Sequence, residues 1–539
     1  MIFGLFENFG IYDCVLFLTL TYVAYYYYKY FTRENPLPGP FPFPLVGNFP
    51  QILWFIGNIE MFFNCCYKKY GDIYEIYTIN IRTIVLCQRK YLDNILSKNT
   101  HEMKIPKCKI LTKELGSEGK GLTLNNDYKS WMFNRHFFNQ AILSPKFTNE
   151  AIEQTNKLFN ELESYWSKLF LKEEIIKENK NILNFSEWFQ YYTNDITIKL
   201  LSGKRSYSMA TYFNTLSDEK ADYPEDAVKL SQTFHKPITE YSIFFVVPPF
   251  IRHNIPFFKN KANSILQTLD NVNQTLDAII KSRRQEIEDT SLNEPLQNDM
   301  LTSMIIKNTL RDNNYIETGE AMRSLTDAEI RANMQEAINS AALKIGNMLS
   351  FIVYYIAHNP DVKKKLLEEI DSIFQGDKIR PITKDDFYSL SYCEAIVKEV
   401  ARIFPVTHLI TRYIDNPSET AEYHWPAGTL FVINSKVIQN NDDDWEEPNK
   451  FNPDRWMVEN FEPNKNSFLM FGGGSRFCPG RKLSMIELVC LTALIFRKYE
   501  VDLVDMNAPI KVTSDPGLVR CLSLLVEIRP RNCYVGADY

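Results

Sequence analysis

Apolar residues recur every three to four positions over Asn149–Phe170, Ala262–Ile287, Thr326–Ala357, Asp361–Phe374 and Asp386–Ile403. That is the period of helices that bury one face. Strand signals are few. Ile73–Cys87 is β-branched and aromatic with a polar break at Asn80, which predicts a hairpin, and further strand pairs are expected around Thr429–Ile433 and near Leu522–Ile528. Glu288–Glu320, rich in Asn, Thr and charge, predicts a surface loop. The expected fold is mainly α with a small β part, in one large domain.

The N-terminal region departs from the amphipathic pattern. Cys14 to Tyr28 carries no charge, and Met1 to Tyr12 carries only Glu7. As one helix over about residues 12–30 this stretch can cross ~30 Å of hydrocarbon, with Asp13 an interruption at its edge. Tyr25–Tyr28 fall where an interfacial aromatic belt would lie, and Lys29 and Arg33 follow, which predicts that the remainder faces the cytoplasm. A cleaved signal peptide would need a basic n-region and a small-residue cleavage site, and both are missing. A buried core helix is the remaining alternative. Prolines at 36, 38, 40, 42 and 44 remove donors and fix φ, so a stiff extended segment is expected next. The predicted organisation is a membrane anchor over residues 1–33, a proline-rich hinge over 34–50 and the large domain over 51–539.

Composition narrows the chemistry only by exclusion. With 45% hydrophobic residues the chain can build a core, and a net charge of −6 gives no basic coat for nucleic acid. The ten cysteines stand singly or as the adjacent pair Cys65–Cys66, with no CxxC pair, so neither a zinc ribbon nor a disulfide framework is supported.

The most specific segment is FGGGSRFCPGRKLSMIEL, residues 471–488. Phe471, Gly474, Arg476, Cys478 and Gly480 form the pattern F-x-x-G-x-R-x-C-x-G. The three glycines permit positive φ and close approach of backbone to a planar ligand. Cys478 lies at a loop-to-helix junction, where the helix dipole and unpaired N–H groups favour a thiolate. Arg476 can reach an anionic group of the same ligand. This is what a thiolate-ligated haem iron needs; a structural cysteine in a Gly-rich turn is the plainer reading.

On these residues the sequence resembles the haem-thiolate cytochromes P450, from the apolar N-terminus and proline hinge to the C-terminus. The resemblance implies that fold, with Cys478 as axial iron ligand, Phe471 shielding its sulfur and Arg476 pairing with a haem propionate. Trp131 and Arg135 (WMFNR) match the family's W-x-x-x-R, whose side chains contact propionates, and an i,i+4 pair shares one helix face. Arg412, ten residues past Arg402, resembles a further propionate position. Glu399 and Arg402 match E-x-x-R, and Arg455 in Pro453-Asp454-Arg455-Trp456 matches the family's second arginine motif. The resemblance joins these three in a buried structural network behind the haem.

The distal helix departs from the pattern. The family's oxygen-activating helix reads A/G-G-x-D/E-T, whereas counting back from His358-Asn359-Pro360 gives Ser340-Ala341-Ala342-Leu343-Lys344. Leu343 replaces the acid and Lys344 the alcohol that organise proton delivery to bound dioxygen. Three readings stay open. Lys344, or a hydroxyl of the substrate, supplies the relay; the enzyme rearranges an oxygenated substrate and needs no dioxygen; or Lys344 snorkels into a polar cavity without a chemical role.

The resemblance implies a monooxygenase that inserts one atom of dioxygen into a lipophilic small molecule, with Ile338–Ile345 lining the distal pocket. No G-x-G-x-x-G follows a strand, so NADPH-derived electrons are expected from a separate flavoprotein reductase. Arg476, Arg481, Lys482 and Lys129 offer it a basic docking face. The expected location is the endoplasmic-reticulum membrane. An isomerase or dehydratase of an oxygenated lipid, and a haem-binding sensor or carrier, are the alternative functions. The run Ile243–Phe250 reads equally as an apolar access region or a buried turn.

Overall fold

The computed structural model describes residues 10–531 apart from 56, 79–80, 97–113, 117–118, 124, 171–180, 225–232, 235–242, 245–246, 248, 313–322 and 516. The helical periodicity folds as long helices: α1 (Ile11–Phe31), α2 (Tyr128–Ile142), α3 (Pro145–Phe170), α4 (Phe185–Ser202), α5 (Pro256–Asp289), α6 (Asp327–His358), α7 (Pro360–Phe374), α8 (Ser391–Ile403) and α9 (Arg481–Lys498). The strands are β1 (Ile73–Thr78), β2 (Ile81–Leu86), β3 (Ile182–Asn184), β4 (Leu409–Tyr413), β5 (Ser418–Thr420), β6 (Tyr423–Trp425), β7 (Leu430–Asn434), β8 (Tyr499–Leu503), β9 (Lys511–Asp515), β10 (Leu518–Ser523) and β11 (Leu525–Pro530).

The predicted hairpin is β1–β2, with Ile73 opposite Leu86. It extends into a four-stranded sheet of order β1-β2-β7-β4, in which β2 and β7 are parallel, with Thr83 against Leu430. The main core gathers α3, α4, α6, α8 and α9 around side chains such as Trp166, Trp188, Phe351 and Leu491. Helix α6 passes through it. Thr326 starts α6 with a capping box: its amide donates to Glu329 at 2.9 Å, while Arg323 pairs with Glu329 at 2.7 Å. These donors hold the Glu329 carboxyl down at about 2. Asn359-Pro360 ends α6, and Pro360 opens α7 at its first position.

Two sequence expectations change. The run Asp386–Ile403 is not one helix: Lys384–Ser389 and α8 are separated at Leu390. Glu369 of α7 causes the restart, accepting from the amides of Tyr392 at 2.6 Å and Cys393 at 2.9 Å. The polar stretch Glu288–Glu320 contains a helix, Met300–Ile306, capped by Asp299 and burying Met300, Leu301, Met304 and Ile305. Its apolar face is too short to show as a period.

Asp13 does not interrupt the N-terminal helix. It lies in the first turn of α1 and accepts from the Gly10 amide at 3.1 Å, where the dipole favours a carboxylate. No described residue of α1 is buried. The hinge is docked rather than free. The Glu75 amide donates to Pro38 at 2.9 Å, Asn48 bonds Pro40, Phe41 and Tyr77, and Tyr27 stacks on Phe41 at 5.2 Å. Among the described helices, α6 alone is both long and apolar enough to cross a membrane, and it is mostly buried inside the protein. In the run Ile243–Phe250, Ile243, Phe244 and Val247 pack with Leu115, Ala262, Ile265 and Leu269, whereas Phe250 is exposed.

Candidate functional site

The glycine-rich loop closes on itself through a bond from the Cys478 amide to the Phe471 carbonyl, 2.8 Å long. Gly472 and Gly474 hold φ of 74° and 71°, values open to glycine and costly to other residues. Cys478 is half-buried, three residues before α9 begins, and belongs to no disulfide. Its sulfur therefore sits in a short loop whose geometry is fixed on both sides.

Helix α2 lies against this loop, and its start is fixed by an N-cap: Asp127 accepts from the Ser130 amide at 2.7 Å. As the i,i+4 spacing requires, Trp131 and Arg135 present one face. Arg476 stacks over the Trp131 indole at 3.8 Å, and Arg135 donates to the Phe477 carbonyl at 2.8 Å. Arg412 reaches the loop from β4, donating to the Gly473 carbonyl at 3.4 Å. The structure thus brings Trp131, Arg135, Arg412, Arg476 and Cys478 together from three elements that are distant in sequence: α2, β4 and the cysteine loop. Burial pushes the guanidinium groups of Arg135 and Arg412 down to about 10. Cationic groups so placed are complementary to a buried dianion. Among the described residues no carboxylate pairs with Arg135. A thiol at a helix start, three converging arginines and a stacked indole fit a propionate-bearing haem.

Behind the loop, Glu399 and Arg402 are fully buried and joined at 2.8 and 2.9 Å. Arg455 adds 3.1 Å to Glu399, as the motif predicts. Further partners complete the network. Trp456 donates to Glu399 at 2.9 Å, the Asn452 amide donates at 3.1 Å, and Arg402 donates to the carbonyls of Gln439 and Pro448 at 3.0 and 2.8 Å. Trp456 was legible only as the tail of the arginine motif, and Gln439 carried no signal at all.

The middle of α6 is packed on one side and open on the other. Thr193 of α4 donates to the Ala342 carbonyl at 2.7 Å, and a β-carbon on Gly346 would lie 3.2 Å from Gln190 backbone. Beyond its first residue, the exposed positions of α6 are Ser340 and Lys344, one turn apart. Open space therefore runs beside the segment Ile338–Ile345 of an otherwise buried helix. Asn347, one turn on, donates to Leu343 at 2.6 Å and accepts from the Cys521 amide at 2.7 Å, which ties the helix to β10.

A mainly helical domain carrying a cysteine loop backed by buried arginines defines the haem-thiolate class of enzymes. The family model "Cytochrome P450" matches residues 37–524. The chain belongs to the cytochrome P450 family, and it is an oxidoreductase of the P450 monooxygenase type. It is 25% identical to the steroid 17-alpha-hydroxylase/17,20 lyase of Rattus norvegicus over 97% of this chain and 98% of that protein. Cytochrome P450 3A16 of Mus musculus is 22% identical over 97% and 98%. The mitochondrial 1,25-dihydroxyvitamin D(3) 24-hydroxylase of Rattus norvegicus is 30% identical over 207 residues, 38% of this chain and 40% of that one.

Proposed function

We propose that Cys478 ligates haem iron, that Arg135, Arg412 and Arg476 hold the propionates, and that the enzyme oxygenates a lipophilic small molecule. The observation that carries this is the convergence of three arginines from separate elements on the loop of one half-buried cysteine. Held there, a thiolate-ligated haem would supply the oxygen-activating chemistry for insertion into a C–H or C=C bond. Around it the residues other than Lys344 position rather than react. Phe471 accepts from the Cys478 amide and shields the sulfur, Trp131 holds Arg476 flat, and Ile338–Ile345 bounds the distal space. Lys344, exposed where the family carries an alcohol, delivers the protons that oxygen cleavage consumes. Relatives named as a steroid 17-alpha-hydroxylase and a 1,25-dihydroxyvitamin D(3) 24-hydroxylase support a lipophilic substrate.

Electrons come from an NADPH-dependent flavoprotein reductase. The exposed Lys129 and Arg481, with half-buried Lys482 and Arg476, support a basic docking face around the cysteine loop. Residues 1–33 anchor the chain in the endoplasmic-reticulum membrane with the catalytic domain on the cytoplasmic side, and residues 34–50 form the hinge. The unburied, charge-poor α1, with Lys29 in its last turn and Arg33 just beyond it, supports this reading. Reconstitution with a purified reductase tests it. Product should require both reductase and NADPH, and reduction should slow steeply with salt. Turnover of an oxygenated lipid without either would overturn it.

A further inference from the structure

Glu336 lies on α6 two turns before Lys344, on the same helix face. Its carboxylate accepts from two consecutive backbone amides of a different segment, Leu122 at 2.5 Å and Thr123 at 2.7 Å, both through Oε2. The preceding residue is glycine for a spatial reason: a β-carbon on Gly121 would lie 2.4 Å from this carboxylate. Two residues beyond Thr123, the backbone carbonyl of Asn125 accepts from Arg476 at 3.2 Å. The Asn125 side chain, which is buried, donates to Ser130 of α2 at 2.9 Å and accepts from the Asp127 amide at 3.0 Å. A second tie joins the same helices, Asn333 of α6 donating to Asn134 of α2 at 2.9 Å. One carboxylate on the distal helix is thus connected to an arginine of the cysteine loop through a short stretch of backbone.

We propose that Glu336 is a positioning residue. It clips the backbone at Leu122 and Thr123 to the distal helix, and so keeps the Asn125 carbonyl within reach of Arg476. Charge-assisted bonds from a carboxylate to paired amides are strong and directional, so one side chain suffices to hold the two amides. Removing it loosens them locally while the helices stay packed. The bearing of the clip on Arg476 rests on the haem reading above.

The test uses the haem-loaded full chain as parent, Glu336→Ala, Glu336→Gln and Gly121→Ala. Hydrogen exchange at the Leu122 and Thr123 amides and the thermal midpoint are measured. Glu336→Ala should speed exchange at these amides by about tenfold or more, with the midpoint nearly unchanged. Glu336→Gln, whose amide oxygen can occupy the same seat, should stay close to the parent. Gly121→Ala, with Glu336 intact, should reproduce the alanine variant, and it decides the matter if that variant does not fold. Parent-like protection in both Glu336→Ala and Gly121→Ala, or a glutamine variant as fast as the alanine one, would overturn the clip. The exchange arm reads the clip whether or not the parent binds haem, so failure of the haem reading is distinguishable from failure of the clip.

Discussion

A β-carbon placed on Gly474 would lie 2.4 Å from the carbonyl oxygen of Leu96, so the cysteine loop is pressed directly against the chain that follows β2. Gly472, two residues earlier, has almost the same positive φ but nothing within 4 Å of such a carbon. The two positions separate strain from collision. Gly472→Ala should cost only the left-handed strain, roughly 1–2 kcal/mol, and keep its haem. Gly474→Ala carries the same strain and must also move the loop. Haem content per folded chain measures the difference; equal occupancy in both variants would contradict the close approach.

The buried Glu399–Arg402 pair sits behind this loop without access to water. Arg402→Ala leaves Glu399 uncompensated and the carbonyls of Gln439 and Pro448 without their donor, at a cost of roughly 3–5 kcal/mol. Loss of soluble, haem-loaded protein is the expected result. Purified holoprotein at parental yield would show that the network is dispensable.

Glu487 of α9, nine residues after Cys478, is fully buried, and among the described residues neither of its oxygens finds a hydrogen-bond partner. Burial raises its carboxyl to about 8. Below the ordinary glutamate range the group is protonated in both folded and unfolded chains and adds no pH dependence. As pH rises towards 8 only the unfolded chain ionises, so stability falls by about 1.4 kcal/mol per unit, on the order of 5 kcal/mol in all. Glu487→Gln removes this dependence. Its thermal midpoint should exceed the parent's more at pH 8 than at pH 5, and an equal difference at the two pH values would contradict the buried, protonated acid.

Lys344 is exposed in the middle of α6, where the family's helix carries an alcohol. If it carries protons, Lys344→Ala should lose dioxygen-dependent product while keeping peroxide-driven product, because peroxide bypasses the proton-requiring step, and Lys344→Thr, which supplies the family's alcohol, should lose less. Rates and coupling unchanged in both would assign the role elsewhere.

What the sequence discloses here follows the range of the interactions. The start of α6 at Thr326, the hairpin at Ile73–Leu86 and the i,i+4 face of Trp131 and Arg135 are local, and spacing predicts each. The Leu390 break was not, because the acid that restarts the helix is Glu369, more than twenty residues upstream. Residues of the site split in the same way. Cys478, Arg476, Glu399 and Arg402 sit in dense motifs. Gln439 and Glu336 act by bonding to backbone that the fold brings near them, and no spacing rule records that.

The sulfur of Cys478 is the centre of the account, and the optical spectrum of the reduced, carbon-monoxide-bound protein reports on it directly. The parent should show the strongly red-shifted Soret band of thiolate ligation, and Cys478→Ser should lose it together with product formation. A parent without that band, or a serine variant that keeps both the band and the activity, would contradict the assignment.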